Sequence, residues 1–531
     1  MASGGVRRWV TKVYPWLFAF VPTLNYAANN PSQFGLEDLA LMLGVSVVGC
    51  GLVCALAALA AGGRGPAALP PFVALLGVTW FYGYRKLATM LPGDAAHPPH
   101  PILIPAGLAV SAVLLWWIRQ REGLLEGLGR YLTLTSALLV CWSTVQIGSG
   151  WLRGRGAIAD SALAAELARP IEGPVSASLP RRDIYLIVLD EYANSDVLRE
   201  HFEYDNRPFE DSLRALGFHV PRLVRSNYVH TLLSLPSMLN SAHLSVLERE
   251  LGPKTRHPAL PNHLLEHNRV APYLEQRGYR YVFFPSQWWH STSGSSVADL
   301  EFRAWTGLDL MRAMSAGELR RTVRGASVLQ YFDRDHGWEA DHVRRTLEGV
   351  SAAARAGRPI FAFAHILKPH SPYVFDRDCA TLGREREVDD VAPYIEQVEC
   401  LNRMLLGTVT EILRASEVPP IILLQGDHGT KLLGAPAYPD AEEVPPDAAR
   451  ERFGAFGAYY LPDGGAAAFG DTVTVVNVLG NVLRYYFGAH LPRAGDEQYL
   501  SPADFPYEFR RVDARWLAGD HSAGPELRAG R

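Results

Sequence analysis

Residues 39–61 contain no charged side chain. A run of this kind has few places to go: about 20 apolar residues cross the hydrocarbon of a bilayer, and inside lipid every backbone polar group must be satisfied within a helix. Four more apolar runs accompany it, at 13–28 (aromatic and interrupted by proline), 67–84, 102–118 and 131–147. Five such runs joined by short polar loops predict a membrane domain of five helices over residues 1–150 rather than the core of a soluble protein.

The basic residues orient the helices. Arg7, Arg8 and Lys12 precede the first run, Arg64 lies between the second and third, and Arg119, Arg121 and Arg130 lie between the fourth and fifth. Residues 29–38 and 92–101 carry no Lys or Arg, although Arg85 and Lys86 fall on that second side. The N-terminus is therefore expected in the cytoplasm, and everything after residue 147 outside it. A cleaved signal peptide is disfavoured, because four more runs follow the first.

The rest of the chain has a different character. With 531 residues there is room for two or three domains, and a net charge of −4 without a polybasic stretch argues against a nucleic-acid partner. Residues 151–180, rich in Ala, Pro and Ser, read as a linker, 181–515 as an extracytoplasmic catalytic domain, and 516–531 as a C-terminal tail. From Asp183 onward, continuous apolar strands such as "DIYLIVLD" and "PPIILLQGDHG" alternate with helical patterns. That alternation predicts an α/β sandwich with a largely parallel central sheet. Only Cys379 and Cys400 lie outside the membrane runs. In an oxidising compartment they either pair or stay as two buried thiols, and pairing is the expectation adopted.

In parallel sheets, ligands gather at the carboxyl ends of strands. Here those ends carry Asp190 and Glu191, then His365 and His370, then Asp427 and His428. Carboxylate and imidazole together are ligands for a divalent ion such as Zn²⁺ or Mn²⁺. In "VHTLLSLPSMLN" Thr231 opens an apolar helix, with His230 before it and Ser234 and Ser237 inside it. Its hydroxyl is either a helix cap or, if a metal or base activates it, a nucleophile. The residues alone leave both open.

The motifs resemble those of the alkaline phosphatase/sulfatase superfamily, specifically its membrane-bound branch of phosphoethanolamine transferases, lipoteichoic acid synthases and other phosphoglycerol transferases. "TLLSLPSM" is similar to the nucleophile segment of phosphoethanolamine transferases, "GDHG" to the Asp-His metal pair, and "HILKPHSPYVF" to a segment whose second His contacts phosphate or a second metal. The resemblance implies an alkaline phosphatase-like domain holding one or two divalent ions, with Thr231 as nucleophile and metal ligand. Asp427 and His428 are further implied ligands, with Asp190 favoured over Glu191 at the first strand. His370 would bind the phosphoryl oxygens or assist proton transfer. Asn227, His365 and Lys368 are candidate substrate contacts, although Asn227 equally suits a loop that positions the helix and Lys368 equally suits a plain surface. The implied reaction moves phosphoethanolamine or phosphoglycerol from a membrane phospholipid to an extracytoplasmic glycan or lipid, in a bacterial-type cytoplasmic membrane. Two alternatives stand beside it: a hydrolase of phosphodiesters or sulfate esters on the same fold, and a non-catalytic membrane assembly protein. The Cys/Ser-x-Pro-x-Arg signature of true sulfatases is absent around Thr231.

The charge pattern makes a direct prediction about topology. A reporter fused after Gly150 is expected to be active outside the cytoplasm and one fused at Arg64 inside it; a cytoplasmic signal at Gly150 overturns the orientation and the use of a lipid donor with it.

Overall fold

The computed structural model describes residues 12–30, 36–60, 67–90, 100–174, 180–286, 292–302, 323, 327–328, 337–353, 359–386, 390–433 and 444–512. The proposed tail at 516–531 lies outside these. The chain divides into two compact units, one of Met1–Arg153 with Leu308–Arg334, the other of Gly154–Gly307 with Asp335–Arg531.

The first unit contains helices α1 (Tyr14–Asn29), α2 (Leu36–Ala60), α3 (Leu69–Thr89), α4 (His100–Arg119) and α5 (Glu122–Asp160). Each of the five apolar runs is helical. Among the described residues, three stretches are long and apolar enough to cross a membrane, Asp38–Ala60, His100–Arg119 and Gly123–Asp160, whereas α1 and α3 fall short of that standard. Leu52, Leu56, Leu108, Val113, Leu138 and Trp142 stand exposed on these helices. So broad an apolar surface is costly against water and favourable against lipid.

Where the composition reads as a linker, α5 continues to Asp160 and a short helix α6 follows at Ala162–Leu167. Ser161 caps α6 by accepting from Ala164 N at 3.0 Å. Leu163 and Leu167 pack with Leu260, Leu264 and Tyr507.

The second unit is built on strands β1 (Ile184–Leu189), β2 (Leu223–Arg225), β3 (Arg280–Phe284), β4 (Leu300–Glu301), β5 (Ile360–Ile366), β6 (Tyr373–Phe375), β7 (Thr381–Arg386), β8 (Ile421–Gly426), β9 (Gly457–Tyr460) and β10 (Thr472–Thr474). Six of them form one sheet in the order β4-β3-β5-β1-β8-β9. All neighbours in it are parallel except β8 and β9, which are antiparallel at the edge. The helices that matter below are α7 (Ser195–Phe202), α8 (Thr231–Asn240), α9 (Gly337–Ala352), α10 (Val391–Ala415), α11 (Pro446–Phe453) and α12 (Val478–Phe487).

The central strands are buried at every position and apolar along most of their length because both faces are covered. Tyr185, Ile187, Leu189, Ile422 and Leu424 face Val343 and Leu347 of α9 and Val398 and Leu405 of α10. Leu186, Val188, Phe363 and Leu423 face Leu235, Met238 and Leu239 of α8 and Val478 and Val482 of α12. Each such side chain contributes roughly 1.5–3 kcal/mol by leaving water. The expected architecture is the observed one: apolar helices followed by an α/β domain with a largely parallel sheet.

Cys379 and Cys400 form a disulfide, with Cα atoms 5.0 Å apart, tying the segment after β6 to α10. A loop of this length restricts the unfolded chain by about 3 kcal/mol. Reduction, or Cys379→Ser, is expected to lower the denaturation midpoint of the second unit by a corresponding amount. A midpoint indifferent to reductant, with two reactive thiols in the denatured protein, would show that the bond does not form.

Candidate active site

Register determines which side chains meet. In the parallel sheet, Leu189 of β1 lies opposite Ile366 of β5 and Gly426 of β8, and Val188 opposite His365 and Gln425. Side chains alternate between faces, so His365 shares a face with Val188, and Asp190 and Asp427, two residues beyond Val188 and Gln425, extend that face past the strand ends. This is the face that α8 covers. The result is a buried triad: one ligand atom each from Asp190, His365 and Asp427, all within 4.8 Å of one another.

The hydrogen bonds leave this triad incomplete. Asp427 Oδ1 accepts from the backbone amides of Glu191 at 3.1 Å and His428 at 2.8 Å. Among the described residues, Asp427 Oδ2, Asp190 Oδ1 and His365 Nε2 are buried without a hydrogen-bond partner. His365 Nε2 lies 3.7 Å from Asp190 Oδ2, while its Nδ1 faces Thr292 Oγ1 at 3.3 Å. With Nδ1–H donated to Thr292, Nε2 presents a lone pair to the triad. Burial holds the His365 pKa down at about 4, so the ring is neutral at ordinary pH. Burial, reinforced by the charges of Asp427 and Glu191, pushes the Asp190 carboxyl well above the usual carboxylate range. Two carboxylates and a neutral imidazole with orphaned atoms aimed at one point suit a divalent cation with mixed O/N preference, such as Zn²⁺ or Mn²⁺.

The two adjacent acids part company here. Glu191 has a left-handed backbone, with φ of 57°, and its carboxylate turns toward a lysine and a histidine: Oε1 is 3.6 Å from Lys431 Nζ and 3.8 Å from His370 Nε2. Burial alone would raise its pKa, but His370 and Lys431, with His428 and Arg452, hold it at about 2. Lys431 rides on a loop fastened by Glu451, whose Oε1 accepts from Thr430 Oγ1 at 2.6 Å and Leu433 N at 3.1 Å.

Thr231 is the first residue of α8, not its cap. His230 is the N-cap, with extended backbone and no side-chain cap bond, and its ring is held neutral by burial, with a pKa near 3. The Thr231 hydroxyl lies 3.1 Å from His428 Nε2, and His428 Nδ1 lies 2.8 Å from Gly429 O. In the neutral ring, Nδ1–H donates to that carbonyl, which leaves the Nε2 lone pair to accept from the Thr231 hydroxyl. Ser234 one turn on donates to Asp427 O at 2.6 Å, fixing α8 to the loop after β8. Gly429 permits that loop: a Cβ there would overlap the carbonyl of Glu451.

Asp190, Glu191, Thr231, His365, His370, Asp427 and His428 thus converge. Asn227 and Lys368 stand in the framework. Asn227 donates to Glu497 O at 2.8 Å and accepts from Val476 N at 3.0 Å. Lys368 is fully buried, donating to Glu339 Oε1 at 2.6 Å and Pro372 O at 2.8 Å. Sequence reasoning passed over Thr292, which belongs to no motif, and Lys431, four residues after Asp427.

The triad predicts that Asp427→Asn and His365→Ala each lower bound metal, measured by elemental analysis of purified protein, while circular dichroism stays that of the wild type. Full occupancy in both variants would exclude this set as the ligands.

No protein-family model and no curated protein sequence matches the chain. Among solved structures it is similar to the C-terminal periplasmic domain of EcEptC from Escherichia coli, at 11% identity and a TM-score of 0.44 over 65% of this chain and 96% of that one. It is also similar to the soluble domain of lipooligosaccharide phosphoethanolamine transferase A from Neisseria meningitidis, at 13% identity and a TM-score of 0.39 over 60% and 91%. A protein in the alkaline phosphatase superfamily from Vibrio parahaemolyticus is similar at 11% identity and a TM-score of 0.39 over 65% and 78%. Each is a distant likeness and says nothing of this chain's chemistry.

Proposed function

We propose that the chain is a metal-dependent phosphoester transferase that moves a phospho-head-group, phosphoethanolamine or phosphoglycerol, from a membrane phospholipid to an extracytoplasmic glycan or lipid. One observation carries the reading: a threonine hydroxyl at a helix start, hydrogen-bonded to a histidine lone pair, beside three orphaned ligand atoms. Asp190, His365 and Asp427 would hold the cation. When bound, a divalent ion neutralises charge on phosphoryl oxygens and favours ionisation of a nearby hydroxyl.

The residues do the rest. His428 Nε2 takes the Thr231 proton as the Oγ1–P bond forms, and gives it to the glycerol oxygen as the P–O bond to diacylglycerol breaks. In the second half, an acceptor hydroxyl loses its proton to His428 as its oxygen bonds to phosphorus, and His428 returns that proton to Oγ1 as the P–Oγ1 bond breaks to restore Thr231. The positive end of α8 favours the anion, and the side lined by Lys431 and the His370 ring belongs to the phosphoryl oxygens. The apolar helices of the first unit support a lipid donor, since diacylglycerol stays in the bilayer. The Cys379–Cys400 bond supports a compartment outside the cytoplasm.

Thr231→Ala tests this. Without a cap bond to lose, it is expected to change stability by less than about 1 kcal/mol while abolishing diacylglycerol release and acceptor modification in cells expressing the protein. The wild type is expected to yield a phospho-head-group adduct on Thr231 by mass spectrometry. Turnover near that of the wild type in the Ala variant, or an adduct on Ser234 or Ser237, would sink the mechanism. Free head group in place of modified acceptor would make the enzyme a hydrolase.

A further inference from the structure

The second unit has a cavity of about 200 Å³ that shares no residue with the candidate active site. It opens where the start of α7, strand β2 and the end of α11 meet, with Asn194, Arg222, Arg225, Arg450 and Gly454 among its walls. Gly454 allows that meeting. A Cβ there would lie 2.9 Å from Arg450 O, 2.9 Å from Val197 Cγ2 and 3.0 Å from Asn194 Nδ2.

The charges of the wall do not balance. Its acids, Asp196 and Glu200, are already engaged by Arg199 at 2.7 Å and 3.3 Å. Arg450 uses one end of its guanidinium on Asp447, and among the described residues its Nε is buried without a partner. Arg225, half-buried at the end of β2, has no acid bearing on it; burial and then the like charge of Arg222 push its pKa below the usual arginine value. Side chains of this kind are seldom withdrawn from water unless paired. Guanidinium groups converging on a cavity match the oxygens of a phosphate, which each can grip through two parallel N–H bonds.

We infer that this cavity is a second anion site, which takes a phosphate-bearing group through Arg222, Arg225 and Arg450. Its volume exceeds that of phosphate alone and leaves room for a substituent. Asp196 and Glu200 offer oxygens to hydroxyls on such a substituent, as in a phosphorylated sugar. The inference stands independently of the transferase reading, because it uses none of the triad, Thr231 or His428.

The test is equilibrium binding to the full chain in detergent, with inorganic phosphate and glucose 6-phosphate as probes and a chelator present to empty the candidate active site of metal. Saturable binding of both probes, in competition with each other, is expected. Arg225→Gln and Arg222→Gln are each expected to weaken it about tenfold, the worth of one charge-assisted hydrogen bond. Arg222 is exposed, so its variant keeps the test decisive should Arg225→Gln fold poorly. Affinity unchanged in the folded Arg variants, or no saturable binding by the wild type, overturns the proposal.

Discussion

Two carboxylates buried side by side set the terms for the second unit. Asp190 and Asp427 sit at adjacent strand ends with ligand atoms no more than 4.8 Å apart. At an effective dielectric of about 20, two full charges at that spacing repel by roughly 3 kcal/mol. The fold tolerates them because one oxygen of Asp427 is held by two amides and because neutral His365 adds a lone pair rather than a third charge. What remains is a concentrated negative potential whose remedy is a cation. Lys431, with the His370 ring beside it, faces Glu191 instead. The site is therefore divided into a cation-seeking half and an anion-seeking half.

Helix α10 keeps the second half in place. Tyr394 donates to Glu191 O at 2.8 Å, and Gln397 donates to Pro369 O at 3.0 Å and His370 O at 3.1 Å. Gln397 Oε1 also accepts from Val374 N at 2.9 Å. One helix face thus positions both the acid and the histidine opposite it. The disulfide from Cys400 on the same helix ties down the segment after β6.

Much of this was legible in the sequence, for physical reasons. Strands buried on both faces are unbroken apolar runs, so β1, β5 and β8 and the polar residues ending them could be read directly. The membrane helices were legible for the same reason. Membership of the triad was less so. His365 joins it only because β5 lies beside β1 in the register that pairs it with Val188, and strand order is not a local property. Asp190 and Glu191 are neighbours that composition cannot separate; a left-handed turn at Glu191 separates them. The status of Thr231 likewise depended on His230 taking the cap position. Lys368 looked like a surface lysine, but its partner Glu339 comes from α9, 29 residues away in the chain.

The shared parity of Asp190, His365 and Asp427 has a consequence for error in folding. A slip of β8 by one residue would exchange the side chains it gives to the two cores, isoleucine for isoleucine and leucine for leucine, and point Asp427 to the opposite face. Apolar burial would change little while the triad was lost. A chain misaligned in this way would have no converging ligand atoms, and so would be inert rather than indiscriminate.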